Sequence, residues 1–238
     1  MIEDSVSTEF AAAGYAVISD VLTSDDMRSV ARNLTESATQ GVGSRKLLDA
    51  RWCQALAGRL ADEPRLNAVM PTDVRAVQCM LFQKSLDQNW LVALHQDLSI
   101  PVAERIDNDR CTGWSVKEGI LFVQPPPAVL EELVIVRVHL DDCHERNGAL
   151  RVVPGSHRLG RLGPGQARQI REIRGECLIP VAAGAAMLMR PLLLHISSKA
   201  SMDAPRRVLH FVFGPPKLPD GLCWPKNRRQ SADIVRSQ

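Results

Sequence analysis

Leu133-Val-Ile-Val-Arg-Val-His-Leu-Asp141 is the stretch on which the fold turns. Side chains alternate faces along a strand, so Val134, Val136 and Val138 share one side while Arg137 and His139 share the other. Three valines ask for an apolar cover such as a layer of helices. Two basic side chains opposite them then look into the interior of a sandwich or barrel. There they meet substrate or form a structural polar network; the pattern fits both.

Working outward, short strand candidates recur at 74–84, 91–97, 119–123, 150–153, 176–181, 185–189, 192–197 and 207–213, with Gly and Pro between them. On the first of these, Val74, Ala76, Gln78, Met80 and Phe82 fall on one face. The stretch 99–124 is long, mixed and without clear period, which suggests a loop over a pocket. Pro125-Pro-Pro127 is a stiff turn.

Before residue 71 the texture is helical. Phe10-Ala-Ala-Ala-Gly-Tyr-Ala-Val-Ile-Ser19 reads as the approach to a short strand. Thr23-Ser-Asp-Asp26 supplies a cap and acidic first-turn charges for a helix to about residue 38, with Met27, Val30, Ala31 and Leu34 on one face. Residues 41–44 break it, a second helix covers about 53–60, and a short one lies around 66–69. Many short strands after an N-terminal helical part predict a mainly β protein, a double-stranded β-helix (jelly roll, cupin-like) with helices on one side. The expected organisation is one domain over 1–238: a helical buttress at 1–70, the β-helix core at 72–214 and a flexible tail at 225–238.

Composition narrows the functional classes. A net charge of +2 with 24% charged residues leaves no nucleic-acid footprint. The six cysteines are scattered without a CxxC pair, which predicts free thiols in a reducing compartment. The acidic Met1-Ile-Glu-Asp-Ser start lacks the order of a signal peptide, and no apolar run suits a membrane span. The expectation is a cytoplasmic protein whose partner is a small molecule, with neither nucleic acid nor membrane.

His95-Gln96-Asp97 carries the chemistry. A His and an Asp two residues apart on an extended segment set one nitrogen and one anionic oxygen ligand side by side. Joined by a distant second His, they make the two-His, one-carboxylate triad of non-haem Fe(II) oxygenases, which leaves metal positions open. His195, in Leu192-Leu-Leu-His-Ile-Ser-Ser198, is the candidate, with Ser197 on the same face. Arg206 and Arg207 open the last strand and alternate faces, so one of them offers a fixed fork to a carboxylate. A dicarboxylate held by metal at one end and by Arg and Ser at the other is what a 2-oxoglutarate co-substrate requires.

The chain resembles the phytanoyl-CoA dioxygenase family of Fe(II)- and 2-oxoglutarate-dependent oxygenases. The resemblance rests on Phe10-x3-Gly14-Tyr15, Phe82-Gln-Lys84, Trp90, His95-Gln-Asp97, Leu140-Asp-Asp142, Asn147-Gly-Ala-Leu-Arg-Val-Val-Pro-Gly-Ser-His157, His195-x-Ser197 and Arg206. It departs where many relatives carry Gly and Asn after the distal His, since this chain reads His195-Ile-Ser-Ser-Lys-Ala-Ser201. The resemblance implies His95, Asp97 and His195 as iron ligands, Arg206 and Ser197 on the far carboxylate of 2-oxoglutarate, and Gln78 as a further co-substrate contact. Arg137, His139 and Trp114 are candidate substrate contacts. Lys84 reads first as a solvated strand-end charge.

The implied activity is a dioxygenase using Fe(II), 2-oxoglutarate and O2, most simply a hydroxylase of an unactivated C–H bond that forms succinate and CO2. The presence of Asp97 argues against halogenation, because similar halogenases have Gly or Ala there. A desaturase or cyclase of the same class is the first alternative, and a non-catalytic cupin-like small-molecule binder the second.

Overall fold

Two facing sheets organise the chain, and the sequence pattern of their strands decides which way each side chain points. The computed structural model describes residues 2–36, 44–85, 87–202 and 204–225, so the expected tail beyond 225 and most of the break at 41–44 lie outside the described residues. Helix α1 (Ile2–Ala13) leads into strand β1 (Tyr15–Ile18), followed by α2 (Ser24–Glu36), α3 (Arg51–Asp62) and α4 (Pro64–Asn67). The strands are β2 (Arg75–Lys84), β3 (Val92–His95), β4 (Ile100–Val102), β5 (Thr112–Lys117), β6 (Ile120–Gln124), β7 (Val134–His139), β8 (Leu150–Val152), β9 (Cys177–Ile179), β10 (Ala186–Met189), β11 (His195–Ser197) and β12 (Arg206–Gly214). A short helix α5 (Pro127–Glu131) precedes β7, and α6 (Pro164–Arg174) lies between β8 and β9.

The larger sheet runs β1-β10-β7-β12-β2 and the smaller β3-β11-β8-β9, both antiparallel where their registers pair. This is the expected jelly roll. Val134, Val136 and Val138 pack with Leu34, Leu56 and Leu60 of α2 and α3, so the helices cover the outer face of the larger sheet. Ile135 faces the other way, into a second cluster shared with Val152 and Ile179 of the smaller sheet. Arg137 and His139 therefore point between the sheets, as the valine pattern predicts.

The cap of α2 forms as the sequence suggests: the Asp26 amide donates to Thr23 Oγ1 while the Thr23 amide donates to Asp26 Oδ2. Asp26 also takes both guanidinium ends of Arg59, at 2.7 and 2.9 Å, joining α2 to α3. Among the described residues no helix is long and apolar enough to cross a membrane.

Four expectations need correction. Phe10-Ala-Ala-Ala13 is the end of helix α1, not an extended approach; Gly14, at φ +84°, ends that helix. Helix α6 is absent from the pattern because its residues are mostly polar and only Ala167 is buried; Pro164 and the Gln166 side chain on the Gly163 amide start it. The 99–124 stretch is a three-stranded sheet, β4-β6-β5, rather than a loop. Its hairpin turns on Glu118 and Gly119, both at positive φ, a two-residue turn without the usual Asn-Gly or Asp-Gly signature.

The fourth correction concerns β2. Val212 pairs with Gln78 but Phe213 pairs with Ala76, so Val77 is an extra residue in a β-bulge. Below the bulge the parity flips. Val74 and Ala76 turn to the helix side, while Val77 joins the inner cluster near Gln78.

Candidate metal centre and its cavity

His95 ends β3 and His195 begins β11, and the two are direct cross-strand partners. Their rings lie 4.1 Å apart between centroids. Each ring donates its Nδ1 hydrogen to the backbone carbonyl two residues earlier: His95 to Ala93 at 2.8 Å and His195 to Leu193 at 2.9 Å. That fixes both tautomers and leaves both Nε2 lone pairs free. Asp97 follows β3, its amide held by the Pro191 carbonyl. Asp97 Oδ1 stands 3.6 Å from His95 Nε2 and its Oδ2 3.8 Å from His195 Nε2.

The three donors lie within 4.8 Å of one another. Asp97 Oδ2 is buried without a hydrogen-bond partner. Burial pushes His195 down to about 4, so it is a neutral ligand at ordinary pH. Burial alone would raise Asp97, but the neighbouring histidines hold it well below the usual carboxylate range. Two imidazoles with fixed Nε2 acceptors and one ionised carboxylate with an unpartnered oxygen, all on one face, suit a divalent transition metal with open positions.

Gln96 between them points away. Its amide donates to the Gly160 and Leu192 carbonyls and its oxygen accepts from the Leu162 amide, which clamps the ligand-bearing strand end to two loops. Ser156, of the Pro154-Gly-Ser-His157 run, accepts from the Leu194 amide and so steadies the residue before His195.

Deeper in the sandwich, Arg206 and Ser197 come together. Arg206 is buried and donates to the Gly148 carbonyl, on which the Ser197 hydroxyl also donates at 2.8 Å. Arg207 faces the rim and donates from Nε and Nη2 to the two carboxylate oxygens of Asp141. The neighbours divide as strand parity requires. Lys84, opposite Arg206 in register, is not solvated but fully buried. It donates to Ser197 Oγ at 2.8 Å and the Ser198 carbonyl at 2.7 Å, and lies over the Trp90 ring. Gly148, at φ +84°, permits this: a Cβ there would fall 2.7 Å from the Ser198 carbonyl oxygen and 3.2 Å from Lys84 Nζ.

With Arg137, this makes three buried cations near one another. Burial, then the Arg206 charge, brings Lys84 down to about 8 and Arg137 to about 10. His139 is pushed well below its ordinary value by burial, and both its ring nitrogens lack partners, as does Arg206 Nε. Such a set has the charge and the unpartnered donors to receive an anion.

A cavity of about 300 Å³ opens over His95, Asp97 and His210, walled by Met80, Phe82 and Phe122. It shares Arg45, Gln78 and Phe122 with a neighbouring cleft of about 580 Å³. Gln78 thus faces the open cavity. It sits six residues along β2 from Lys84, roughly 20 Å away, so Gln78 and Arg206 cannot hold one carboxylate. Trp114 is not brought to the metal cavity: it packs beside the inner cluster with the Arg105 guanidinium over its ring. From sequence, Gln96 and His210 carry no assigned role and Lys84 reads first as a solvated charge; His210, four residues after Arg206 on the same strand, shares its inward parity.

A family model for phytanoyl-CoA dioxygenase (PhyH) matches residues 10–208. The chain belongs to the phytanoyl-CoA dioxygenase family. As a family member it is a non-haem iron enzyme that uses 2-oxoglutarate, and the donor set above fits that cofactor. No curated protein matches it. Among solved structures it is similar to SnoN, the α-ketoglutarate-dependent epimerase of nogalamycin biosynthesis, solved with Fe3+, α-ketoglutarate and nogalamycin RO. The TM-score is 0.66 at 15% identity over 95% of this chain and 87% of that one. It is also similar to HygX from Streptomyces hygroscopicus, solved with nickel and 2-oxoglutarate, at TM-score 0.57 and 22% identity over 87% of this chain and 84% of that one. At these identities the likeness establishes the shared fold.

Proposed function

We propose that this PhyH family member oxidises a small organic metabolite, with hydroxylation of an unactivated C–H bond as the reaction the site supports best. The observation that carries the reading is the cluster of His95, Asp97 and His195, two of whose members, His95 and Asp97, line a cavity walled by both polar and apolar side chains. When bound there, iron supplies the oxidising power by coupling O2 reduction to decarboxylation of 2-oxoglutarate, giving succinate and CO2. The chain's own part is to position and to exclude water. His95 and His195 present fixed Nε2 lone pairs, and Asp97 supplies the anionic ligand whose loss would favour halogenation. Arg206, Ser197 and Lys84 receive the far carboxylate of 2-oxoglutarate.

Substrate then occupies the open cavity. Its apolar part lies against Phe122, Leu133 and Ile135, and Gln78 reads as a substrate contact there rather than a co-substrate one. Lys117 and Arg45, the latter paired with Glu118 at 2.6 Å, favour a polar or anionic group at the mouth. We read the chain as one domain, because residues from Phe10 to Phe213 share one core cluster.

Epimerisation is the second reading, supported by the likeness to SnoN. The test is a metabolite panel incubated with Fe(II), 2-oxoglutarate and O2, with succinate and product mass followed together. Gain of one oxygen atom is expected. An unchanged mass with inverted stereochemistry would replace hydroxylation by epimerisation, and loss of two hydrogens by desaturation. Equal substrate-free succinate formation by wild type and Asp97→Ala would sink the ligand assignment.

A further inference from the structure

Arg137 and His210 are buried between the sheets and are register partners on β7 and β12. Arg137 Nη1 lies 2.8 Å from His210 Nδ1. A guanidinium only donates, so His210 Nδ1 is the acceptor and the ring's hydrogen sits on Nε2. That N–H faces Asp97: Nε2 is 4.0 Å from Oδ2, the carboxylate oxygen without a partner. The gap exceeds hydrogen-bond length by about 1 Å, within reach of a small rotation of the carboxylate. Phe82 holds both basic groups, with the His210 ring edge-on at 5.4 Å and the Arg137 guanidinium over its face at 5.4 Å.

Burying a guanidinium without an ion-pair partner is costly, and a leucine would fill the same place on β7 more cheaply. Arg137 makes no salt bridge among the described residues, and its Nε has no acceptor. What it does have is His210, whose tautomer it sets.

We propose that Arg137 and His210 are positioning residues that orient Asp97 for metal binding, Arg137 acting through the His210 tautomer. This rests on the reading of Asp97 as a ligand. His210 takes the place that a backbone or side-chain donor holds behind many metal-bound carboxylates, where such partners typically alter metal affinity about 10–100-fold. Arg137, a candidate substrate contact from sequence, is thereby reassigned to the support of the metal site.

The test is anaerobic Co(II) titration, followed by its visible ligand-field absorption, on wild type, His210→Phe, His210→Gln, Arg137→Met and Asp97→Ala, with apo melting temperatures alongside. His210→Phe keeps ring shape and the Phe82 contact; its Co(II) affinity is expected to fall roughly 10–100-fold. His210→Gln retains a donor and an acceptor and recovers most of the loss. Arg137→Met weakens Co(II) binding while the apo melting temperature holds or rises, since an unpaired buried charge is gone. A merely structural Arg137 would instead lower that temperature and leave affinity alone, which overturns the proposal. Unchanged Co(II) affinity in folded His210→Phe, or an effect on 2-oxoglutarate binding alone, overturns it too. If Asp97→Ala binds Co(II) like wild type, the underlying ligand reading fails instead.

Discussion

The His157 ring lies so close to Gly14 that a Cβ on Gly14 would fall 2.3 Å from the His157 Nδ1. Two distant sequence motifs, Phe10-x3-Gly14-Tyr15 and Pro154-Gly-Ser-His157, are thus one structural joint. The Gly155 amide donates to the Ala13 carbonyl and the Arg190 amide to that of Gly14. Gly14→Ala places a side chain at φ +84° and into the imidazole, so a loss of about 2–4 kcal/mol is expected. Thermal denaturation should read this as a melting temperature lower by roughly 5–10 °C. Gly221→Ala, at φ +80° with nothing within 4 Å of its added Cβ, is the control and should lose about 1 kcal/mol. Equal losses in the two variants would mean that the His157 contact contributes nothing.

Lys84 is a cation held without a carboxylate, and its titration should be visible in stability. Burial and Arg206 bring it down to about 8 from 10.5. With the folded value below the unfolded one, the unfolded chain binds more protons between these values. Apo stability contributed by this group therefore rises as pH increases from 8 to 10.5, and the full penalty is present below 8. Lys84→Met is expected to melt higher than wild type at neutral pH, with the difference shrinking across that window. The same variant should bind 2-oxoglutarate more weakly. A difference that does not change with pH would mean that Lys84 is charged as easily inside as outside.

How far these features can be read from sequence depends on whether the determining contact is local. The valine alternation of β7 and the opposite facing of Arg206 and Arg207 follow from strand parity, which needs no partner. The bulge at Val77 does depend on a partner, because it exists only where β12 skips a residue of β2. Lys84 shares the parity of Phe82, but its burial comes from the Gly148 turn and Ser197, more than sixty residues along the chain. The hairpin at Glu118-Gly119 was hidden for another reason: Glu rarely adopts the positive φ it has there.

Arg206 and Arg207 provide a matched pair for the co-substrate site. Arg206→Lys removes a buried fork from the Gly148 carbonyl and from the proposed carboxylate, so the 2-oxoglutarate concentration for half-maximal turnover should rise roughly 10–100-fold. Arg207→Lys alters only the rim pair with Asp141, whose side chains are 31% and 19% exposed. It should change stability by less than about 1 kcal/mol and leave the 2-oxoglutarate requirement as it was. The reverse pattern in steady-state kinetics would exchange the two assignments.

Gln96 is flanked by the two proposed ligands yet belongs to the scaffold, and this separates two ways of damaging the site. Its amide and carbonyl satisfy the Gly160 and Leu192 carbonyls and the Leu162 amide at 2.7–2.8 Å. Gln96→Leu fills similar space but strips three backbone groups of their partners, for an expected loss of about 2–4 kcal/mol. Since the Asp97 amide bonds to the Pro191 carbonyl, next to Leu192, the loosened segment carries Asp97 with it. Melting temperature and Co(II) affinity should therefore fall together, and metal should recover part of the lost stability by mass action. Asp97→Ala should behave differently, losing Co(II) affinity without the same fall in apo stability. If Gln96→Leu melts like wild type, the clamp through Gly160, Leu162 and Leu192 does not hold the ligand strand in place.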